Sequence, residues 1–245
     1  MLPVLVTLGP LTIYSFSLFL GVGFFLTAFI AWRRLIDLGL EEEKILDGLI
    51  LAAVVGLVSA KLIFAAENFP LAGYSFWGGI AGAVLVFFWL TRAWKWNFWQ
   101  VGDELVFACL PFAVLSQVGA FLAGSTPGRP TLMPWGIYFP GMLVRSQPIS
   151  LFMALGFFAM WLYFLQVERN WRGWSWYKSK DPGLIFLLFL ALGTGLTLLI
   201  DFLTIAGIYW LGLKIVICLS ALMVIGVTIF DRSGRKITWL KKSKK

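Results

Sequence analysis

The chain has 245 residues, of which 60% are hydrophobic and 13% charged, against roughly 45–50% and 25% in soluble domains. That composition excludes a water-soluble enzyme and a disordered chain. The net charge of +8 speaks for membrane topology and against nucleic-acid binding, because the Lys and Arg residues sit in short segments between apolar runs.

A bilayer core about 30 Å thick needs about 20 mostly apolar residues per helical crossing. Seven runs meet that need: Leu11–Trp32, Ile45–Ala66, Ser75–Leu90, Val101–Ala123, Ile149–Val167, Gly183–Ala206 and Leu211–Phe230. The third is short and is expected to start near Tyr74, and a tight Gly207–Trp210 connection is expected between the last two. The segment Met1–Pro10 has no positive residues and no small-residue cleavage site follows the first run, so that run is expected to be a retained helix. The expected fold class is an all-α integral membrane protein of seven transmembrane helices, with residues 1–245 forming a single membrane domain.

Sixteen of the 20 Lys and Arg residues fall after the first, third, fifth and seventh runs, among them Arg33, Arg34, Arg92, Lys95, Arg169, Arg172 and the tail Arg232–Lys245. Arg129, Arg145 and Lys214 fall on the other side, and Lys61 lies within a run. Positive charge stays cytoplasmic, which sets the N-terminus outside and the C-terminus in the cytoplasm. Trp and Tyr residues such as Trp94, Trp96, Trp135, Trp171 and Trp174 gather at run ends, as an interfacial belt does. The longest outer segment, Gly124–Pro148, carries five prolines and reads as ordered loop with neither strand nor helix.

No histidine occurs anywhere, so this chain supplies no imidazole base and no His-ligated metal. Cys109 and Cys218 lie inside apolar runs and read as small buried apolar residues. No cofactor is expected. Ionisable residues inside spans are costly and are by default functional candidates; here they are Asp47, Lys61, Asp103, Glu104, Asp201 and Lys214. Asp47, Asp103 and Glu104 lie close to helix starts, where the dipole favours acids. Lys61 lies about 21 Å beyond Asp47, and Asp201 about 27 Å beyond Gly183, at 1.5 Å per residue. Lys61, Gln117, Thr197 and Asp201 could thus share a layer, in which Lys61 and Asp201 would be cheaper together than apart. A structural ion pair and a functional polar cavity both remain open. The glycines Gly78, Gly79, Gly82, Gly119, Gly193 and Gly195 are expected to serve close helix packing.

In its order of motifs the chain resembles bacterial prolipoprotein diacylglyceryl transferases over almost its whole length. The resemblance is carried by Gly9-Pro10 to Phe16, by Ser59-Ala60-Lys61-Leu62 in place of Gly-Ala-Arg-Leu, and by Ser75-Phe76-Trp77-Gly78-Gly79 in place of Ser-Phe-His-Gly-Gly. Phe98 to Asp103, Phe139-Pro140-Gly141, Pro148 and Leu151 follow in the same order. The resemblance implies a multi-pass protein of the bacterial cytoplasmic (inner) membrane acting in lipoprotein biosynthesis. It implies transfer of a diacylglyceryl group from phosphatidylglycerol to a lipobox cysteine thiol, with membrane phospholipid and a lipobox signal peptide as partners. It also implies a lipid-open cavity drawing on Lys61, Trp77, Gly78, Gly79, Gln117, Gly119, Arg129, Arg145, Gln147, Thr197 and Asp201.

The departures fall on the polar positions. The signature Gly-Arg-x-Gly-Asn-Phe-x-Asn-x-Glu-x-x-Gly stands here as Ser116 to Gly128, with Gly119, Phe121 and Gly128 kept but Gln117, Ala120, Ala123 and Ser125 at the Arg, Asn, Asn and Glu positions. Trp77 stands for the motif histidine and Gln147 for that of His-Pro-Ser/Thr-Gln-Leu-Tyr-Glu. Thr197 and Thr204 stand for two arginines, and Asp201 for the glutamate between them. An amide does not replace a permanently charged bidentate fork, so the usual chemistry is expected to fail. Two readings follow: a transferase with altered chemistry using Lys61, Asp201, Arg129 and Arg145, or a catalytically degenerate relative binding lipid, signal peptide or a membrane partner on the same fold. A transporter is the weakest reading, since no repeat symmetry is present.

Overall fold

Inside hydrocarbon every backbone N–H and C=O must find a partner within the chain, so apolar runs of this length fold as helices. The computed structural model describes residues 2, 4–8, 11–67, 76–204 and 208–234. Its helices are α1 (Ser15–Asp37), α2 (Glu42–Glu67), α3 (Phe76–Ala93), α4 (Phe98–Ala123), α5 (Ile149–Asn170), α6 (Leu184–Asp201) and α7 (Ile208–Arg232). Among the described residues six helices are long and apolar enough to cross a membrane, and Gly78–Ala93 is a shorter apolar helix.

Helix ends differ from the apolar runs where capping chemistry decides them. The fourth helix begins at Phe98, three residues before Val101, because Asn97 Oδ1 accepts from the backbone N–H groups of Trp99 and Gln100 at 3.2 and 3.4 Å. The second begins at Glu42 with two acids in its first turn, where the dipole favours them. At the end of α4, Gly124 takes φ +68°, and Ser125 N and Gly124 N donate to Ala120 O and Phe121 O at 3.2 and 3.1 Å. This left-handed closure suits a residue without Cβ. The same closure after α3 falls on Lys95, at φ +56°, with Trp96 N donating to Thr91 O. A side chain is strained there, so Lys95→Gly is expected to stabilise the protein by about 0.5–1 kcal/mol, read from reversible unfolding in detergent.

Two expectations are corrected by short strands. Leu11–Tyr14, taken as the start of the first span, is strand β2, which pairs antiparallel with β1 (Val4–Leu8), and the helix begins only at Ser15. The alternating Leu-Thr-Ile-Tyr run suits a half-exposed strand. Gly124–Pro148 also holds strands: β3 (Pro127–Pro130), β4 (Ile137–Tyr138) and β5 (Arg145–Pro148), in the order β3-β5-β4. The prolines permit this because Pro127 and Pro130 lie on an edge strand and Pro148 closes the central one, where no ladder donor is lost. The fold is therefore helical with two small antiparallel ladders. The expected Gly207–Trp210 connection is corrected: α6 ends at Asp201, five residues before the expected Ala206, and Ile208–Trp210 already belong to α7, so the stretch between the two helices is residues 202–207; Gly207, Tyr74, Ser75 and the basic tail from Arg235 lie outside the described residues.

The chain divides into two compact units, Ala28–Leu105 and Met1–Thr27 with Val106–Lys245. In the first, Leu35, Ile45 and Val101 form the buried core, with Trp32, Leu49, Phe87 and Trp96 packed against it. Here α3 lies close on α2: Ser59 Oγ donates to Gly78 O at 2.8 Å, and a Cβ on Gly78 would lie 2.8 Å from Ser59 O. The second unit is cored by Phe107, Leu110, Phe164, Tyr177 and Leu184. Tyr177 OH donates to Asp181 O at 3.0 Å, and burial raises the phenol's pKa, so the hydroxyl stays a donor. Arg232 at the end of α7 donates to Pro182 O, and Ser179 Oγ donates to Arg232 O, which closes the α5–α6 connection onto α7.

Pro111 lies inside α4 and removes a helix donor there. Thr27 Oγ1 donates to the carbonyl of Ala108 at 2.9 Å, giving a neighbouring helix's hydroxyl to a carbonyl one turn before the proline. Thr27→Val keeps the volume and removes that bond. It is expected to cost about 1 kcal/mol in stability, measured by the same unfolding equilibrium. Both cysteines are free, and Cys109 is exposed on α4 where burial was expected. An exposed thiol on a spanning helix is still in an apolar medium, which is why a hydropathy reading does not separate the two.

Candidate functional site: an acid–lysine corner beside the β3–β5 ladder

The residues singled out from the sequence fall in both units. In Ala28–Leu105, Lys61 is half-buried on α2, two residues after Ser59, whose hydroxyl reaches Gly78. Gly78 and Gly79 open α3, and the side chain of Trp77 lies outside the described residues. The two glycines are not alike. A Cβ on Gly78 would meet backbone atoms Ser59 O at 2.8 Å and Ala60 Cα at 3.0 Å, whereas one on Gly79 would make only ordinary contact with Ala60 Cβ at 3.7 Å. Gly78 is thus a packing residue that lets two helices touch.

The larger set lies in the other unit. Arg129 on β3 is docked on the end of α6: its N–H donates to Leu203 O at 2.9 Å and its Nε to Thr204 O at 2.8 Å. Thr204 in turn gives its N–H and Oγ1–H to Asp201 O at 3.2 and 2.8 Å. The structure therefore brings Arg129 and Asp201 to one corner. Asp201 takes Lys214 of α7 as its cationic partner, with Nζ–Oδ1 3.3 Å. Depth arithmetic alone favoured Lys61 for that place. Asp201 ends α6 and Lys214 lies in the second turn of α7, and it is this pair that the structure brings into contact.

Gln147 on β5 pairs through its strand with β3, and a Cβ on Gly128 would lie 2.8 Å from Gln147 O. Its side-chain Oε1 is buried without a hydrogen-bond partner among the described residues. Thr126 Oγ1 and Ser150 Oγ are hydrogen-bonded nearby in the chain. Ser125 Oγ, at the position of the signature glutamate, donates to Ala120 O at 3.1 Å and closes the helix end.

Gln117 is half-buried on α4. Gly119 is buried, and a Cβ there would lie 2.8 Å from Phe19 Cβ and 3.3 Å from Phe16 Cα, so it serves packing against α1. Thr197 Oγ1 donates to Thr194 O at 2.9 Å, a bond within its own helix. Arg145 turns to the exposed side, with its guanidinium 5.4 Å from the Tyr138 ring centre. Near the start of α4, Glu104 is held by Arg34 at 2.8 Å and is an ion-pair partner as well as a helix-start acid. Lys214 and Arg34 are thus the partners that inspection of single runs did not assign. Among the described residues no group of three or more His, Cys, Asp and Glu stands together to hold a metal.

Chemically, the corner offers one carboxylate already paired with an ammonium, one guanidinium that gives its Nε–H to a single backbone carbonyl, and one buried amide oxygen. It can orient a polar head through leftover donors. Among the described residues of the corner, the one carboxylate, Asp201, is paired.

A family model described as prolipoprotein diacylglyceryl transferase matches residues 3–230. The phosphatidylglycerol–prolipoprotein diacylglyceryl transferase of Serratia proteamaculans is 31% identical over 172 residues, covering 62% of this chain and 58% of that protein. The protein of the same name from Clostridioides difficile is 24% identical over 177 residues, 67% of this chain and 71% of that one. That from Pseudoalteromonas atlantica is 30% identical over 185 residues, 66% and 65%. The chain spans between 58% and 71% of the length of these three relatives. With apolar helices long enough to cross a membrane and the family's match over nearly all of its length, this chain belongs to the prolipoprotein diacylglyceryl transferase family and is a multi-pass protein of the bacterial inner membrane.

Proposed function

We propose that this chain is a family member in which the transfer step has been dismantled while the lipid-holding body remains. It would form one membrane domain over residues 1–245, crossing seven times with the N-terminus outside. Transfer requires that a thiolate of the lipobox cysteine attack the glyceryl carbon, forming a C–S bond as the C–O bond to phosphate breaks. A proton acceptor must take the thiol proton, and fixed cations must receive the departing glycerol phosphate. The observation that carries the reading is the Asp201–Lys214 pair at 3.3 Å: the acid kept at the family's glutamate position is already answered by a lysine of this chain. Gln117, Ala120, Ala123 and Ser125 occupy the signature's polar positions with no charge.

Phospholipid, of the phosphatidylglycerol kind, is the proposed ligand. A signal peptide or another membrane protein is the proposed second partner. The altered-chemistry reading keeps one support, the arrival of Arg129 at the Asp201 corner. Lipid binding is tested by stripping the purified chain in detergent, adding phosphatidylglycerol, and weighing the intact protein by native mass spectrometry. About one lipid retained per chain is expected, and a chain that retains none would sink the binding reading.

A further inference from the structure

The α4–α5 connection leaves α4 at Ala123 and enters α5 at Ile149, and both helices are long and apolar enough to cross a membrane. The chain between them therefore lies at one bilayer face. It is not a limp tether. Thr131 N donates to Arg145 O at 2.9 Å, Gly136 N to Met133 O at 3.0 Å, and Ile137 and Tyr138 pair with Ser146 and Arg145. This small ladder holds out Leu132 and Leu143 with 104% and 97% of their surface exposed, with Met133, Trp135 and Val144 half-exposed beside them. Large apolar side chains held in full exposure by an ordered ladder mark a surface with a partner.

Charge says which partner. Residues 124–148 contain Arg129 and Arg145 and no Asp or Glu. The Arg145 guanidinium stands over Tyr138 at the wall of a hollow of about 430 Å³ that Leu132 and Leu143 also line. Apolar tips, an aromatic pair and arginines without acids are the composition of an interfacial element, in which rings and guanidinium groups sit at headgroup depth. The tether to two spanning helices supplies the bilayer itself within reach.

We propose that residues 131–145 form an interfacial anchor that sinks Leu132 and Leu143 into the acyl boundary of the adjoining leaflet and sets Arg145 and Tyr138 among the phosphates of an anionic phospholipid surface. This goes beyond lipid binding in the family site, since the partner is the leaflet and not one lipid molecule. Two leucines sunk to that depth fix how far the β3–β5 ladder stands from the membrane.

The experiment uses the full chain in a C109S/C218S background, in nanodiscs containing phosphatidylglycerol and phosphatidylcholine. A nitroxide is placed at L132C or L143C, positions whose exposure leaves room for it. References are M223C on the exposed face of α7 and E41C in the polar turn before α2. Collision with oxygen against a water-soluble nickel chelate reads depth. The ratio at 132 and 143 is expected to lie between those at 41 and 223, and about threefold or more above that at 41, since Met223 lies near the middle of α7. R145Q is expected to lower the ratio about twofold in anionic discs and to leave it unchanged in phosphatidylcholine alone. A label at 132 as open to the chelate as the one at 41 overturns the proposal and points to a protein partner. An equal effect of R145Q in both discs overturns its anionic part.

Discussion

Gly78→Val is expected to separate α3 from α2 and to cost about 1–3 kcal/mol or more, the range for forcing extra volume into a packed contact. The reason lies in what the new Cβ meets. Ser59 O at 2.8 Å and Ala60 Cα at 3.0 Å are backbone atoms of a continuous helix and cannot rotate away. The bond from Ser59 Oγ to Gly78 O, 2.8 Å, lengthens with the same movement. Gly79→Ala is the control one residue on. Its added carbon meets nothing closer than 3.7 Å, so a change within about 0.5 kcal/mol is expected. Reversible unfolding in detergent, or steric trapping in bicelles, separates the two. Equal losses at both positions would show that α3 does not lie on α2 as described.

The second large effect concerns the ion pair. Asp201→Ala leaves Lys214 without its carboxylate at the end of two apolar helices, and Lys214→Ala leaves the carboxylate without its ammonium. Each single change is expected to cost about 1–3 kcal/mol, below the full bilayer-centre penalty because the lysine is about half exposed and snorkels. The double change should cost less than the two together, with a coupling of about 0.6–1.7 kcal/mol, the span measured for polar pairs between membrane helices. Strict additivity would remove the pair from the account and return Asp201 to the candidates for chemistry.

How much was legible in the sequence divides along a physical line. Each apolar run contains a helix, because the bilayer leaves the backbone little else to do. Apolarity alone did not mark the ends: Asn97 before Phe98 is a cap signal that the apolar run passes over, and it starts α4 three residues earlier than Val101. The two ladders were hidden, since strand pairing is set by partners distant in sequence. The five prolines of Gly124–Pro148 suggest a loop until β3 is seen to be an edge. In the site, residue types were legible and partners were not. Lys61 and Asp201 lie at matching depth by counting residues, but depth along an axis says nothing of azimuth, and it is Lys214 of α7 that reaches Asp201. Gly78 and Gly79 read alike in the sequence. One is pressed against a neighbouring backbone and the other has room for a Cβ, because only the packed partner decides what a missing Cβ is for.

The account rests on loss of transfer chemistry in a chain that keeps its family's membrane body. Its most direct test is product mass. The purified chain is reconstituted with phosphatidylglycerol and a lipobox peptide, and the peptide is weighed for a diacylglyceryl thioether. No product above the enzyme-free control is expected from the wild-type chain under conditions in which a Serratia-type relative converts the peptide. Thioether product that disappears with Asp201→Ala or Lys61→Ala would contradict the account and establish a working transferase built on a different set of charges.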